Sequence, residues 1–193
     1  MKKRFFVLGA LALALALPLM VAAQDETPTP NPDPLDYNDP AMHYSAPPNA
    51  KLVGTMNPVT LDNLGDDPTT IATWVIPARN QNDVKVISIM MESYTGNLDG
   101  WDSTYENALR EQDSSADIKN KEHVMLQNGM PAMFVEATLG SGFDTHKVFA
   151  YIWIDTQRGV VLSISAPLGG VDEGQAKQLL AGATAVQYPS NQP

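Results

Sequence analysis

The chain has 193 residues, a length that suits one domain with a single buried core, and at 44% hydrophobic and 18% charged its composition is that of a globular protein. Its formal net charge of −10 disfavours nucleic acid and anionic lipid as partners, because phosphate is repelled. It has no cysteine, which excludes disulfides, thiol catalysis, thiolate metal sites and a lipid-anchored N-terminal cysteine.

Met1-Lys2-Lys3-Arg4 is cationic, Phe5 to Leu17 is apolar, and Val21-Ala22-Ala23 supplies the small residues that signal peptidase needs. This predicts a signal peptide over residues 1–23, cleaved to leave Gln24 first, and therefore a protein of the periplasm or the extracellular space. Retention as an anchor is the alternative, since Phe5 to Ala23 carries no charge. Pro18 and the small-residue site favour cleavage, which takes the net charge from −10 to −13 with the loss of Lys2, Lys3 and Arg4. No later segment is apolar over the length of a membrane helix, so no stable membrane span is expected after cleavage.

Residues 24–40 are rich in proline and acid, a composition that predicts a solvated, disordered leader of polyproline character. A single domain is expected over residues 41–189, followed by a short tail at 190–193. Tyr44 to Pro48 and Lys51 to Val53 read as an extended opening piece that its prolines confine to an edge. Ile71 to Ile76 and Val84 to Met91 predict a hairpin across the turn Arg79 to Asp83. From Asn97 to Gln112 the period changes: Trp101, Tyr105, Ala108 and Leu109 share one helical face, with Asn97 or Asp99 as the cap.

His123 to Pro167 predicts a meander. Strands are expected at His123 to Gln127, Met130 to Leu139, Phe143 to Ile154 and Val160 to Ala166. They are broken by a type I′ Asn128-Gly129 turn, by Gly140-Ser141-Gly142, and by a polar turn from Asp155 to Gly159. A second helix is expected from Asp172 to about Val186, burying Ala176, Leu179, Leu180, Ala183 and Val186. The fold class is α+β: a twisted antiparallel sheet of about six strands with helices packed on it, in a three-layer sandwich.

This order of elements resembles the Mog1/PsbP-like domains of exported bacterial proteins. The resemblance is carried by Tyr44 to Pro48, the Thr73-Trp74-Val75 strand, the Trp101 helix, the Asn128-Gly129 hairpin and the C-terminal helix, and it covers Met42 to Tyr188. It implies an α/β/α sandwich. Members include photosystem accessory proteins, a nuclear-transport factor and cell-envelope proteins, so the resemblance implies no single function and no residue-level role.

Chemistry is sparse. His43, His123 and His146 lack the close spacing of a metal-ligand pair, and the Asp62 to Asp67 acids fail the calcium-loop pattern at its third and twelfth positions, Leu64 and Thr73. No metal and no cofactor are expected. Ser141, His146 and Asp144 could form a serine-type hydrolase triad, with Asp144 and His146 on one strand face, but Gly140-Ser141-Gly142 is not a nucleophile elbow. A non-catalytic domain is the first expectation and the hydrolase the alternative.

Alternation sorts the meander into two faces. Val160, Leu162, Ile164 and Ala166 are assigned with Val148, Ala150, Ile152, Ile154, Met133, Val135, Ala137 and Leu139 to an aliphatic core face. Phe134, Glu136, Phe149, Tyr151, Trp153, Ser163 and Ser165 are assigned to the other. Its four aromatics represent roughly 600 to 1000 Å², too much for a monomer to leave open. Either a helix or the N-terminal segment covers this face, or it is a surface for an unknown protein or small-molecule partner, in a monomer or a homodimer.

Overall fold

Which face of each strand is buried decides where the helices go. The structure, a computed structural model, describes residues 35–39, 42–56, 64–78 and 84–185. The expected signal peptide, the leader up to Pro34, the Arg79 to Asp83 turn, Asp62, Val186 and the tail lie outside the described residues. The described chain runs β1 (Asp36–Asn38), β2 (Met42–Ser45), β3 (Lys51–Leu52), β4 (Thr69–Ile76), β5 (Lys85–Ser93), α1 (Leu98–Gln112), β6 (Asp117–Met125), β7 (Pro131–Leu139), β8 (His146–Asp155), β9 (Arg158–Pro167), α2 (Glu173–Leu180) and β10 (Thr184–Ala185).

Seven strands form one sheet in the order β3-β4-β5-β9-β8-β7-β6, every neighbouring pair antiparallel. A second sheet, β1-β2-β10, is also antiparallel. Helix α1 lies on one face of the large sheet. Its Trp101, Tyr105, Ala108 and Leu109 pack with Met133, Val135, Ala137, Val148, Ala150 and Ile152. Asn97 caps it, its Oδ1 accepting from the Gly100 N–H at 2.9 Å. Helix α2 and the small sheet cover the opposite face, where Tyr37, Met42, Tyr44, Ala176 and Leu180 meet Phe134, Phe149, Trp153, Leu162 and Ile164. The result is the α+β, three-layer arrangement that the sequence predicts.

Four local expectations are corrected. The leader does not extend to Pro40: Asp36–Asn38 pairs with β2, Tyr37 is wholly buried, and the Ala46 N–H donates to the Leu35 carbonyl at 2.8 Å. The proline-rich composition masked this short strand. The second helix stops at Leu180, with Asp172 and Gln175 forming its capping box, and Thr184–Ala185 pairs with β2. Gly182 lies where a Cβ would stand 3.1 Å from the Ser45 carbonyl oxygen, so the chain leaves the helix there against β2.

Strand β6 begins at Asp117, six residues before the expected start, because an exposed edge strand needs no apolar alternation and Asp117 to Glu122 offers none. The Asn128-Gly129 turn is not type I′. Thr156 alone among the described non-glycine residues has a positive φ, whereas Gly129, at φ 81°, follows a turn closed by its N–H to the Leu126 carbonyl at 2.8 Å. That is the three-residue hairpin loop with a left-handed glycine at its end.

Candidate functional site

The residues assigned to the aromatic face do not form one surface. The β8–β9 turn contains two residues, Thr156 and Gln157, closed by Asp155 opposite Arg158, and not the expected five. Odd positions of β8 therefore face even positions of β9: Phe149 pairs with Ile164, Tyr151 with Leu162 and Trp153 with Val160. Ser163 and Ser165 oppose Ala150 and Val148 on the α1 side. The earlier assignment of β9 is inverted as a whole, the consequence of a one-residue register difference in a structure of period two.

Phe134, Phe149 and Trp153 are fully buried beneath α2 and the small sheet, so the aromatic face is core. Phe134 stacks on Phe149 with centroids 6.0 Å apart and tilts against Tyr151 at 5.2 Å. Lys177 of α2 stands 4.5 Å above the Phe134 ring and pairs with Glu122 and Glu173. Those two carboxylates push its pKa up to about 12. Tyr151 is half-buried, and burial raises its phenol. Glu136 is engaged by Lys147 at 2.8 Å, whose ammonium also lies over the Phe149 ring. Of the polar residues assigned to this face, Ser163 and Ser165 are thus on the other side of the sheet and Glu136 is already paired.

Ser141, Asp144 and His146 fall in one tight connection between β7 and β8. Gly142–Asp144 forms a 3₁₀ turn with Ser141 before it, and β8 starts only at His146. Asp144 and His146 are therefore not on one strand, as expected, because the turn takes the residues up to Asp144 out of the pleat. Gly140, at φ 82°, packs so closely that a Cβ there would run into the Asp144 carbonyl, which accounts for that glycine without catalysis. Among the described residues no hydrogen bond joins the three side chains. His43 lies 3.2 Å from the Ser45 hydroxyl, and His123 is 3.9 Å from Asp99; both stand apart from His146. No group of three or more His, Cys, Asp or Glu side chains among the described residues is placed to hold a metal.

A concave surface lies elsewhere, between the Ser45–Asn49 loop and one side of α2. Its volume is about 690 Å³, within the range of small-molecule sites. It is lined by Ser45, Pro47, Pro48 and Asn49, by Gln175, Gln178, Leu179 and Gly182 in and just after α2, and by Ile76 and Lys85. The walls are set by Tyr44: its hydroxyl donates to the Leu179 carbonyl at 3.1 Å, its ring meets Trp74 edge-on at 5.5 Å, and burial pushes its phenol well up. The Ala50 N–H donates to the Pro47 carbonyl at 2.8 Å, which holds the diproline loop in a turn.

The groove offers apolar walls from Pro47, Pro48, Ile76 and Leu179 and carboxamides from Asn49 and Gln178. Gln175 is partly committed to its helix cap. None of the described lining side chains is acidic, which sets this surface apart in a chain of net charge −10. Such a surface can take an extended peptide or a neutral to anionic small molecule; at its edge the Ser45 hydroxyl lies 3.2 Å from His43 Nε2 and donates to the Asp36 carboxylate. Sequence reasoning treated Pro47-Pro48 as an edge device and α2 as a core helix. Gly182, a glycine inside the expected helix, is the sequence feature that falls at the groove.

No protein-family model matches the chain, and no curated protein matches it. A crystal structure of a protein from Bacteroides thetaiotaomicron is similar at 12% identity and a TM-score of 0.39, over 76% of this chain and 45% of the other. This chain spans less than half of that protein's length, and a likeness at that level transfers neither fold nor function.

Proposed function

We propose that this chain is an exported, non-catalytic binding or accessory domain of the cell envelope, built as a Mog1/PsbP-like sandwich, that takes its partner in the groove between Pro47–Asn49 and α2. The groove carries this reading. It is concave, amide-rimmed and free of described acidic side chains, whereas the aromatic face is closed by the protein's own layers. The cationic start and small-residue cleavage site support export. The partner is a peptide segment or a small molecule, and the domain acts as a monomer, because the aromatic face is already covered from within.

Two measurements test this. Expression of the full chain in a Gram-negative host, followed by N-terminal sequencing of the exported form, is expected to give Gln24 first. Chemical-shift mapping of the mature chain with a library of short peptides and small carboxylates and amides is expected to move the amides of Asn49, Gln178 and Gly182. Shifts confined to Ser141–His146, together with ester hydrolysis lost in Ser141→Ala, would replace the binding reading with the hydrolase.

A further inference from the structure

A buried ionic cluster joins the N-terminal strand to the far end of the β8–β9 hairpin. The Asp39 carboxylate, just past β1, accepts from the Tyr37 hydroxyl at 2.7 Å, from the Met42 N–H at 2.8 Å and from Arg158 Nη1 at 3.1 Å. Arg158 Nη2 donates to Asp155 at 2.6 Å. All three charged side chains are at most 4% exposed. One guanidinium thus serves two carboxylates, and with both ionised the interior holds a net negative charge, which is strongly disfavoured away from water.

We propose that Asp39, Arg158 and Asp155 form a proton-operated latch that holds β1 on the body of the domain. The geometry chooses where the proton goes. Asp39 receives at least three donors, while among the described residues Asp155 receives Arg158 and the Thr156 hydroxyl at 3.2 Å, so Asp155 is the less well-solvated carboxylate and the one that protonates. Burial raises its pKa, and the attraction of Arg158 does not offset this. Once Asp155 is neutral, Asp39 and Arg158 form a balanced pair and β1 is held.

When Asp155 ionises, the excess charge has to be relieved, and β1 is the weakest attachment. It is three residues long and lies at the edge of the small sheet, anchored mainly by Tyr37. The groups that face the cluster are Tyr37 and Asp39 from the N-terminal segment, Asp155 and Arg158 from the hairpin, and the Met91 sulfur from β5. Glu92, next to Met91, lies on the opposite face of the sheet. Because the docked-state pKa of Asp155 is raised, the stability it contributes is full at low pH and is lost as pH rises through that pKa. The latch closes in acid and loosens toward neutrality.

Hydrogen exchange of the full chain tests this between about pH 4 and pH 8, with intrinsic rates divided out. Protection of the Ala46 amide and of the β1–β2 ladder is expected to fall as pH rises, by about tenfold for each unit separating the docked and undocked Asp155 pKa, while β5 and β8 stay protected. Asp155→Asn should remove the pH dependence and keep β1 docked; Asp39→Asn, which leaves Arg158 a single carboxylate, should abolish the loss of β1 protection toward neutrality. A pH-independent β1, the same slope in Asp155→Asn, or core strands falling in step would overturn the latch. If Asp155→Asn does not fold, the carboxyl carbon of Asp155 is titrated in the unaltered protein. A midpoint above the ordinary aspartate value that coincides with loss of β1 protection supports the latch, and an ordinary midpoint overturns it.

Discussion

The Trp101 indole lies directly against Gly159: a Cβ at that glycine would stand 2.5 Å from Trp101 Cε2, and the indole N–H donates to the Val160 carbonyl at 3.3 Å. This contact seats the first turns of α1 on β9. Gly159→Ala is expected to destabilise the domain by about 1 to 3 kcal/mol through overpacking, with a red shift of the Trp101 emission as the indole is displaced. Urea unfolding followed by fluorescence measures both.

The aromatic face, as core, has an energetic signature distinct from that of a binding surface. Trp153→Ala and Phe134→Ala should each cost about 3 to 5 kcal/mol, because nothing in a closed three-layer core collapses readily into the space they leave. Circular dichroism under denaturant gives the value. A change below about 1 kcal/mol for either would return that face to the surface.

Thr156 has φ 57° at the first central position of the β8–β9 turn, a conformation that suits glycine and strains a β-branched residue. Thr156→Gly is expected to relieve strain of about 1 kcal/mol, reduced in part by the greater freedom of the unfolded glycine chain. The midpoint of unfolding should rise or hold, and a clear fall would show that the Thr156 hydroxyl on Asp155 outweighs the strain.

Asp113 ties the end of α1 to the β7–β8 connection. Its carboxylate accepts from the Ser115 hydroxyl at 2.6 Å, from the Ser115 N–H at 2.8 Å and from the Gly140 N–H, and these bonds, the hydroxyl first, hold its pKa below the ordinary value. A lowered pKa gives stability that is present at neutral pH and lost as pH falls through the folded-state value. Asp113→Asn should therefore be less stable than the parent near neutrality, with the gap closing in acid. Thermal unfolding across pH reads this directly, and a gap independent of pH would contradict it.

The layers were legible because they rest on strong periodicities: Trp101, Tyr105, Ala108 and Leu109 on one helical stripe, and the alternation of β7 and β8. What escaped depended on turns and on tertiary pairing. A two-residue turn at Thr156-Gln157 reverses every side chain of β9, and a threonine with positive φ gives no sequence sign of it. Tyr37 is buried among prolines and acids because β2 lies beside it. Thr184–Ala185 becomes a strand for the same reason, by pairing with Met42 and His43. The groove was illegible because residues from β2, the ends of β4 and β5, and α2 meet there only after the small sheet has formed.

The claim that partners enter this groove is tested most directly with Gln178→Trp, a change on the exposed side of α2 that fills the space opposite Asn49. Ligands found by shift mapping are titrated into the mature chain and into the variant, with unfolding midpoints compared alongside. The expected result is unchanged stability, shifts at Asn49, Gln178 and Gly182 in the parent, and binding weakened at least about tenfold in the variant, equivalent to about 1.4 kcal/mol. Equal affinity in both proteins would contradict it.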